Sequence, residues 1–139
     1  MKAFLDLFFQ YWIPHRPRKS MFSKKAVVIS TTAGMGTKQA IKPVKRALSY
    51  WGVPYIKTYG IALQASNWNE VTEKKKTKIQ KDMKTLADKI KRQKPGKPSL
   101  YIRIMFLVMV ISRKKESHNM SSETQYWKEN GWLDKSRLW

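Results

Sequence analysis

The chain has 139 residues, no cysteine and two histidines, and its 29 lysines and arginines against 9 aspartates and glutamates give a formal charge of +20. These counts exclude a disulfide framework, a thiol nucleophile and a cysteine zinc site, argue against a histidine-based metal centre at His15 and His118, and fit a reducing cytoplasm. About half of the basic residues fall between Lys74 and Lys115, so the charge belongs either to a solvated helical face or to a surface for an anionic membrane or nucleic acid.

The chain starts with Phe4, Leu5, Leu7, Phe8, Phe9, Tyr11, Trp12 and Ile13 around Asp6 and Gln10, a pattern that reads as a helix rather than a signal peptide. Its apolar residues wrap nearly all the way round, which requires cover on more than one side. Pro14 and Pro17 end it and predict an extended linker up to Ser20.

The run Lys25-Ala26-Val27-Val28-Ile29-Ser30-Thr31-Thr32-Ala33-Gly34-Met35-Gly36-Thr37 reads as a strand leading through a small-residue loop into a helix. Val27, Val28 and Ile29 do not alternate with polar residues, the pattern of a parallel strand covered on both faces. Ile41, Val44, Leu48 and Trp51 then follow helical spacing, and Gly52 and Pro54 end that helix. Pro43 predicts a kink, or a helix proper that begins there. Residues 53–62 read as a second strand, which completes a βαβ unit.

Asn67 and Glu70 form a capping-box-like start for a long helix with Ile79, Met83, Leu86 and Ile90 on one face and lysine over most of the rest. Lys94-Pro95-Gly96-Lys97-Pro98 reads as a hinge that divides residues 1–93 from a basic and apolar extension, residues 94–139. Residues 100–111 are the most apolar segment, too short to span a bilayer comfortably and interrupted by Arg103. They fit a helix or strand packed on the body or on a partner, or a segment lying in a membrane surface. The tail carries Tyr126, Trp127, Trp132 and Trp139, spaced to dock across the surface.

Known motifs fit poorly. Gly34-Met35-Gly36 lacks the third glycine of a dinucleotide fingerprint, since Gln39 stands there, and Gly36-Thr37-Lys38 lacks the spacing of a phosphate loop. Asn119-Met120-Ser121 matches a glycosylation acceptor by chance, and the carboxylates form no acid/base pair that spacing can support. Aromatics do not interleave with the lysines of residues 74–94, which argues against a single-stranded nucleic-acid platform. The loop of Thr31, Thr32, Ala33, Gly34, Met35 and Gly36 is either a connection that needs its glycines for a turn or a ligand loop at the carboxyl edge of a sheet.

Four blocks in order resemble the flavodoxin-like NAD(P)H-dependent FMN reductases: Met1-Lys2-Ala3-Phe4-Leu5-Asp6, the Lys25-to-Thr37 run, Tyr50-Trp51-Gly52-Val53, and Tyr126-Trp127-Lys128-Glu129-Asn130-Gly131-Trp132. In that family the first block lies internally, after the third strand, so the resemblance implies the C-terminal half of such an oxidoreductase: a partial flavodoxin-like three-layer α/β sandwich with a C-terminal helical extension. It further implies FMN as the flavin and NAD(P)H as reductant, with the backbone of Thr31, Thr32, Ala33, Gly34, Met35 and Gly36 bordering the flavin ring and Trp12 and His15 as weaker candidates. The family's Gly-Ser-Pro-Arg type phosphate loop has no counterpart here. The chain alone is therefore expected to be inactive and to self-associate as a homo-oligomer or to need a complementing N-terminal half. The alternative is a basic module for an anionic membrane surface, with nucleic acid the weaker version.

Overall fold

The computed structural model describes residues 2–94, 96–116 and 121–134. Strands β1 (Lys25–Thr32) and β2 (Tyr55–Ala62) form a two-stranded parallel sheet, in register from Lys25 opposite Tyr55 to Thr32 opposite Ala62. Helix α2 (Thr37–Tyr50) connects them and buries Ile41 and Ala47, so the βαβ unit expected from periodicity is present. The helix runs through Pro43 instead of starting there; the proline lacks the N–H that would reach the Gln39 carbonyl one turn back.

Gly52 turns the chain out of α2 with φ +87°, its N–H donating to the Ser49 carbonyl while Val53 N–H reaches Leu48. A Cβ at Gly52 would overlap the Phe22 ring, with Cδ1 only 2.7 Å away. The position needs glycine on both counts.

Side chains alternate along β2, so Gly60, whose missing Cβ makes room for Thr37 and Ile41, faces α2, while Tyr59 faces the other way. On that other side lies helix α3 (Glu73–Arg92), held by the Tyr59 hydroxyl donating to Asp82 Oδ2 at 3.1 Å and by Lys25 Nζ donating to the Ile90 and Gln93 carbonyls at 2.7 and 3.0 Å. None of the α3 residues is buried, and Ile29 of β1 stays 55% exposed, so the expected cover on both faces is only partial here. Both outer edges of the sheet are unpaired among the described residues. The Asn67–Glu70 capping box exists, with Asn67 Oδ1 accepting from the N–H groups of Asn69 and Glu70. It starts a short 3-10 turn, Trp68–Glu70, and α3 begins three residues later behind Thr72.

The N-terminal helix α1 spans only Lys2–Leu7, followed by a 3-10 turn at Phe9–Tyr11. The segment after it is no extended linker. Ile13, Pro17 and Phe22 are buried and form one wall of the main core, and the opposite wall comes from helices α4 (Leu100–Lys115) and α5 (Ser122–Glu129). Ile102, Phe106 and Val110 of α4, Trp127 of α5 and Trp132 beyond it complete this cluster, with Phe106 stacked on Trp127 at 5.1 Å. Trp127 and Trp132 therefore sit inside the protein rather than across its surface, with Tyr126 half-buried against them; Trp139 lies outside the described residues, as do Pro95 of the hinge, His118 and the Asn119 of the acceptor motif.

Arg113 closes this region electrostatically. Buried apart from 8% of its surface, it donates to the Pro14 carbonyl at 3.2 Å and to Ser121 Oγ and Thr124 Oγ1, and it pairs with Glu116 and Glu123. Glu123 Oε1 in turn accepts from His15 Nδ1 at 3.0 Å. Trp127 Nε1 donates to the His15 carbonyl, the Arg16 guanidinium to Ser122 Oγ and the Tyr126 hydroxyl to the Pro17 carbonyl, so residues 14–17 are bonded to the C-terminal helices along their length.

Candidate functional site

The carboxyl edge of the sheet carries the residues singled out by sequence. Thr31 and Thr32 are the last residues of β1, and Ala33, Gly34 and Met35 bend out beyond it. Gly36, with φ +101°, sets the first turn of α2, and its carbonyl accepts from Ala40 N–H. Of the two loop glycines, Gly36 alone takes a left-handed conformation; Gly34 does not, and a Cβ built on it meets open space. Small residues at 33 and 34 thus leave the backbone accessible, while Met35 stands 94% exposed.

The N–H groups of Gly34, Met35 and Gly36 pair with no acceptor among the described residues. Thr31 is exposed on the α3 side of the sheet. Thr32 lies on the α2 side, where its Oγ1 is shielded from solvent and unpartnered among the described residues. The backbone donors at the open loop are the groups available to a hydrogen-bond acceptor, whereas the shielded Thr32 hydroxyl is out of reach from solvent.

A second loop flanks the first. Leu63 N–H reaches the Thr32 carbonyl at 2.8 Å and Gln64 N–H the Ala33 carbonyl at 2.9 Å, extending the parallel ladder past both strands. Gln64 holds φ +56°, and Lys75 at the start of α3 clamps it by donating to Leu63 O and to Gln64 Oε1, both at 2.8 Å. Sequence reading missed Lys75, because one lysine in a run of three has no local mark that it points inward.

Trp12 and His15 are not at this edge. Trp12 stacks on Tyr50 at 4.4 Å and lines an apolar pocket of about 500 Å³ with Leu5, Phe9, Pro43 and Ala47, between α1 and α2. His15 belongs to the Arg113–Glu123 network. Beside the loop, a groove of about 450 Å³ along α2 is lined by Thr37, Lys38, Lys42, Lys45, Thr58 and Gly60. Among the described residues no group of three or more His, Asp or Glu is placed to hold a metal ion, and no helix is long and apolar enough to cross a membrane.

Three tyrosines have displaced acidities. Burial, then the hydrogen bond to Asp82, raises Tyr59. Tyr50 is lowered by the Tyr101 hydroxyl and then by Arg46, while Tyr101 is raised by the same bond to Tyr50. None of the three is among the loop residues.

Comparison with protein-family models, with curated proteins and with solved structures gave no match in any of the three.

Proposed function

We propose that the chain is the ring-facing part of a flavodoxin-like NAD(P)H-dependent FMN oxidoreductase, whose phosphate loop and remaining strands come from outside these 139 residues. The observation that carries this reading is the loop at residues 31–36: it lies at the carboxyl edge of a parallel βαβ unit, has open space over Gly34, and presents N–H groups of Gly34, Met35 and Gly36 that are unpaired among the described residues. The unpaired sheet edges and the exposed Phe4, Leu7 and Phe9 of the N-terminal segment support the need for a complementing partner or self-association.

The described residues fit the ring end of FMN and not its phosphate end. Backbone donors 34–36 suit a planar ring whose oxygens gain negative charge on reduction, and Gly34 lets that ring come close. When bound, the flavin itself would take the hydride from NAD(P)H and pass electrons to a small acceptor. The chain's own part is to position the ring and stabilise its charge; Lys75, by clamping residues 63 and 64, holds the neighbouring loop against Ala33. Without a phosphate cradle, FMN forgoes several charge-assisted hydrogen bonds of roughly 1.5–3 kcal/mol each.

The test is an absorbance measurement of FMN retained after gel filtration, on the chain alone and mixed with the N-terminal half of a related reductase carrying the Gly-Ser-Pro-Arg type loop. The chain alone is expected to elute colourless and the folded mixture to hold FMN stoichiometrically. A folded mixture that holds none overturns the flavin reading, and stoichiometric FMN on the chain alone overturns the claim that the phosphate site lies elsewhere.

A further inference from the structure

Helix α4 is apolar on two sides, and the core uses only one. Ile102, Phe106, Val110 and Arg113 face inward, whereas Leu100, Tyr101, Ile104, Leu107, Val108 and Ile111 remain between 43% and 66% exposed. At about 100° per residue these six occupy a single arc of roughly 120° that runs the first three turns of the helix without a polar interruption. The same arc continues into the exposed Lys114 and Lys115, and exposed Lys97 lies just before it.

The charge around the stripe has one sign. Helix α4 contains no acidic residue, and Glu116 at its end is engaged by Arg113. Tyr101, at the start of the stripe, shares a groove with Lys42, Lys45 and Arg46 of α2 and hydrogen-bonds Tyr50 at 3.3 Å. Residues 42, 45 and 46 are exposed, and α2 carries no acid either. The lysines of α3 lie on the other side of the sheet, since α2 and α3 contact alternate residues of β2.

We propose that the α4 stripe docks on an anionic lipid bilayer, lying in the interface plane with its apolar arc among the acyl chains and the cations of α2 and α4 against the headgroups. An exposed helical face of this length rimmed by lysine and arginine has the chemistry of an interfacial helix. A second copy is the poorer occupant. Antiparallel pairing of two stripes would set Lys114 and Lys115 of one chain against Lys97 and the α2 cations of the other, with +20 on each molecule. The proposal is independent of the flavin reading.

The test is co-sedimentation of the full chain with vesicles of phosphatidylcholine alone or with about 30 mol% phosphatidylserine, at low and at physiological salt. Binding is expected to the anionic vesicles and to weaken as salt rises. The variant I104E/V108E, changed only at exposed positions, should lose binding while keeping the parent's circular dichroism. K114Q/K115Q should bind roughly 25-fold more weakly, at about fivefold per charge near the surface. K74Q/K81Q/K84Q, which removes three charges from α3, should change binding less than the α4 pair does. Equal binding to neutral vesicles, an α3 variant as impaired as the α4 one, or no binding to anionic vesicles would each overturn the proposal. So would sedimentation equilibrium showing a dimer that I104E/V108E dissociates, because the stripe would then be covered by a second copy.

Discussion

Replacing Gly52 by alanine should destabilise the protein more than any other glycine-to-alanine change in the 34–52 segment. Two penalties coincide there. An L-residue held at φ +87° costs about 1–2 kcal/mol, and the new methyl group runs into the buried Phe22 ring, whose movement is resisted by Ile13 and the α4–α5 core, for a further 1–3 kcal/mol or so. The sum, about 2–5 kcal/mol, is a large fraction of a total stability of roughly 5–15 kcal/mol. Gly36→Ala meets no neighbouring atom and should cost only the backbone term of about 1–2 kcal/mol. Gly34→Ala, with neither penalty, should fall within about 0.5 kcal/mol of the parent. Urea denaturation of all three at one protein concentration, followed by tryptophan fluorescence, measures the series. If Gly52→Ala lies within about 1 kcal/mol of Gly36→Ala, the close approach of Phe22 to the turn after α2 is wrong.

Arg113→Met should cost about 2 kcal/mol, below the usual range for breaking a buried pair because Glu116 and Glu123 are partly exposed and water can reach them; a midpoint unchanged in thermal denaturation would contradict the network. The neutral phenol of Tyr59 contributes stability below the ordinary tyrosine value of about 10, and that contribution is lost as pH rises through the raised folded value. Asp82→Ala removes both the hydrogen bond and the charge and leaves burial, so an NMR titration of the ring should show Tyr59 moving part of the way back; an unmoved titration would rule Asp82 out. In the complemented protein, Gly34→Val should abolish FMN retention while leaving thermal stability near the parent's, because the β-branched side chain fills the open space above the loop. Retention equal to the parent's would remove the loop from the flavin site.

The βαβ unit was legible because its signals are local. Val27, Val28 and Ile29 form a β-branched run, Ile41, Leu48 and Trp51 repeat at helical spacing, and Gly52 sits where a positive φ ends the helix. The candidate loop could be placed for the same reason, since it joins the two. Residues 13–22 were misjudged: two prolines and a string of cations look like a linker, and nothing nearby says that Ile13, Pro17 and Phe22 face Trp127 and Phe106 more than 80 residues away. The Asn67–Glu70 box was a true cap on the wrong element, because Val71 leaves the 3-10 turn in extended conformation before α3 begins. On α4, uniform apolarity told of two buried sides or of one buried and one waiting, and composition alone does not separate them.

The bonds from residues 14–17 to α4 and α5 constrain the order in which the protein assembles. Strand β1, helix α2 and strand β2 are contiguous in the chain and need nothing beyond residue 64 to pair. The principal core, by contrast, joins partners separated by about a hundred positions, such as Arg113 with Pro14 and Trp127 with His15. Contacts of that separation are entropically expensive to form and slow. During synthesis, Ile13 and Phe22 emerge early and must wait, uncovered, until Trp127 and Trp132 have left the ribosome. A ribosome stalled before α5 would therefore carry a paired sheet beside an open apolar wall, the form of this protein most prone to aggregate or to engage a chaperone.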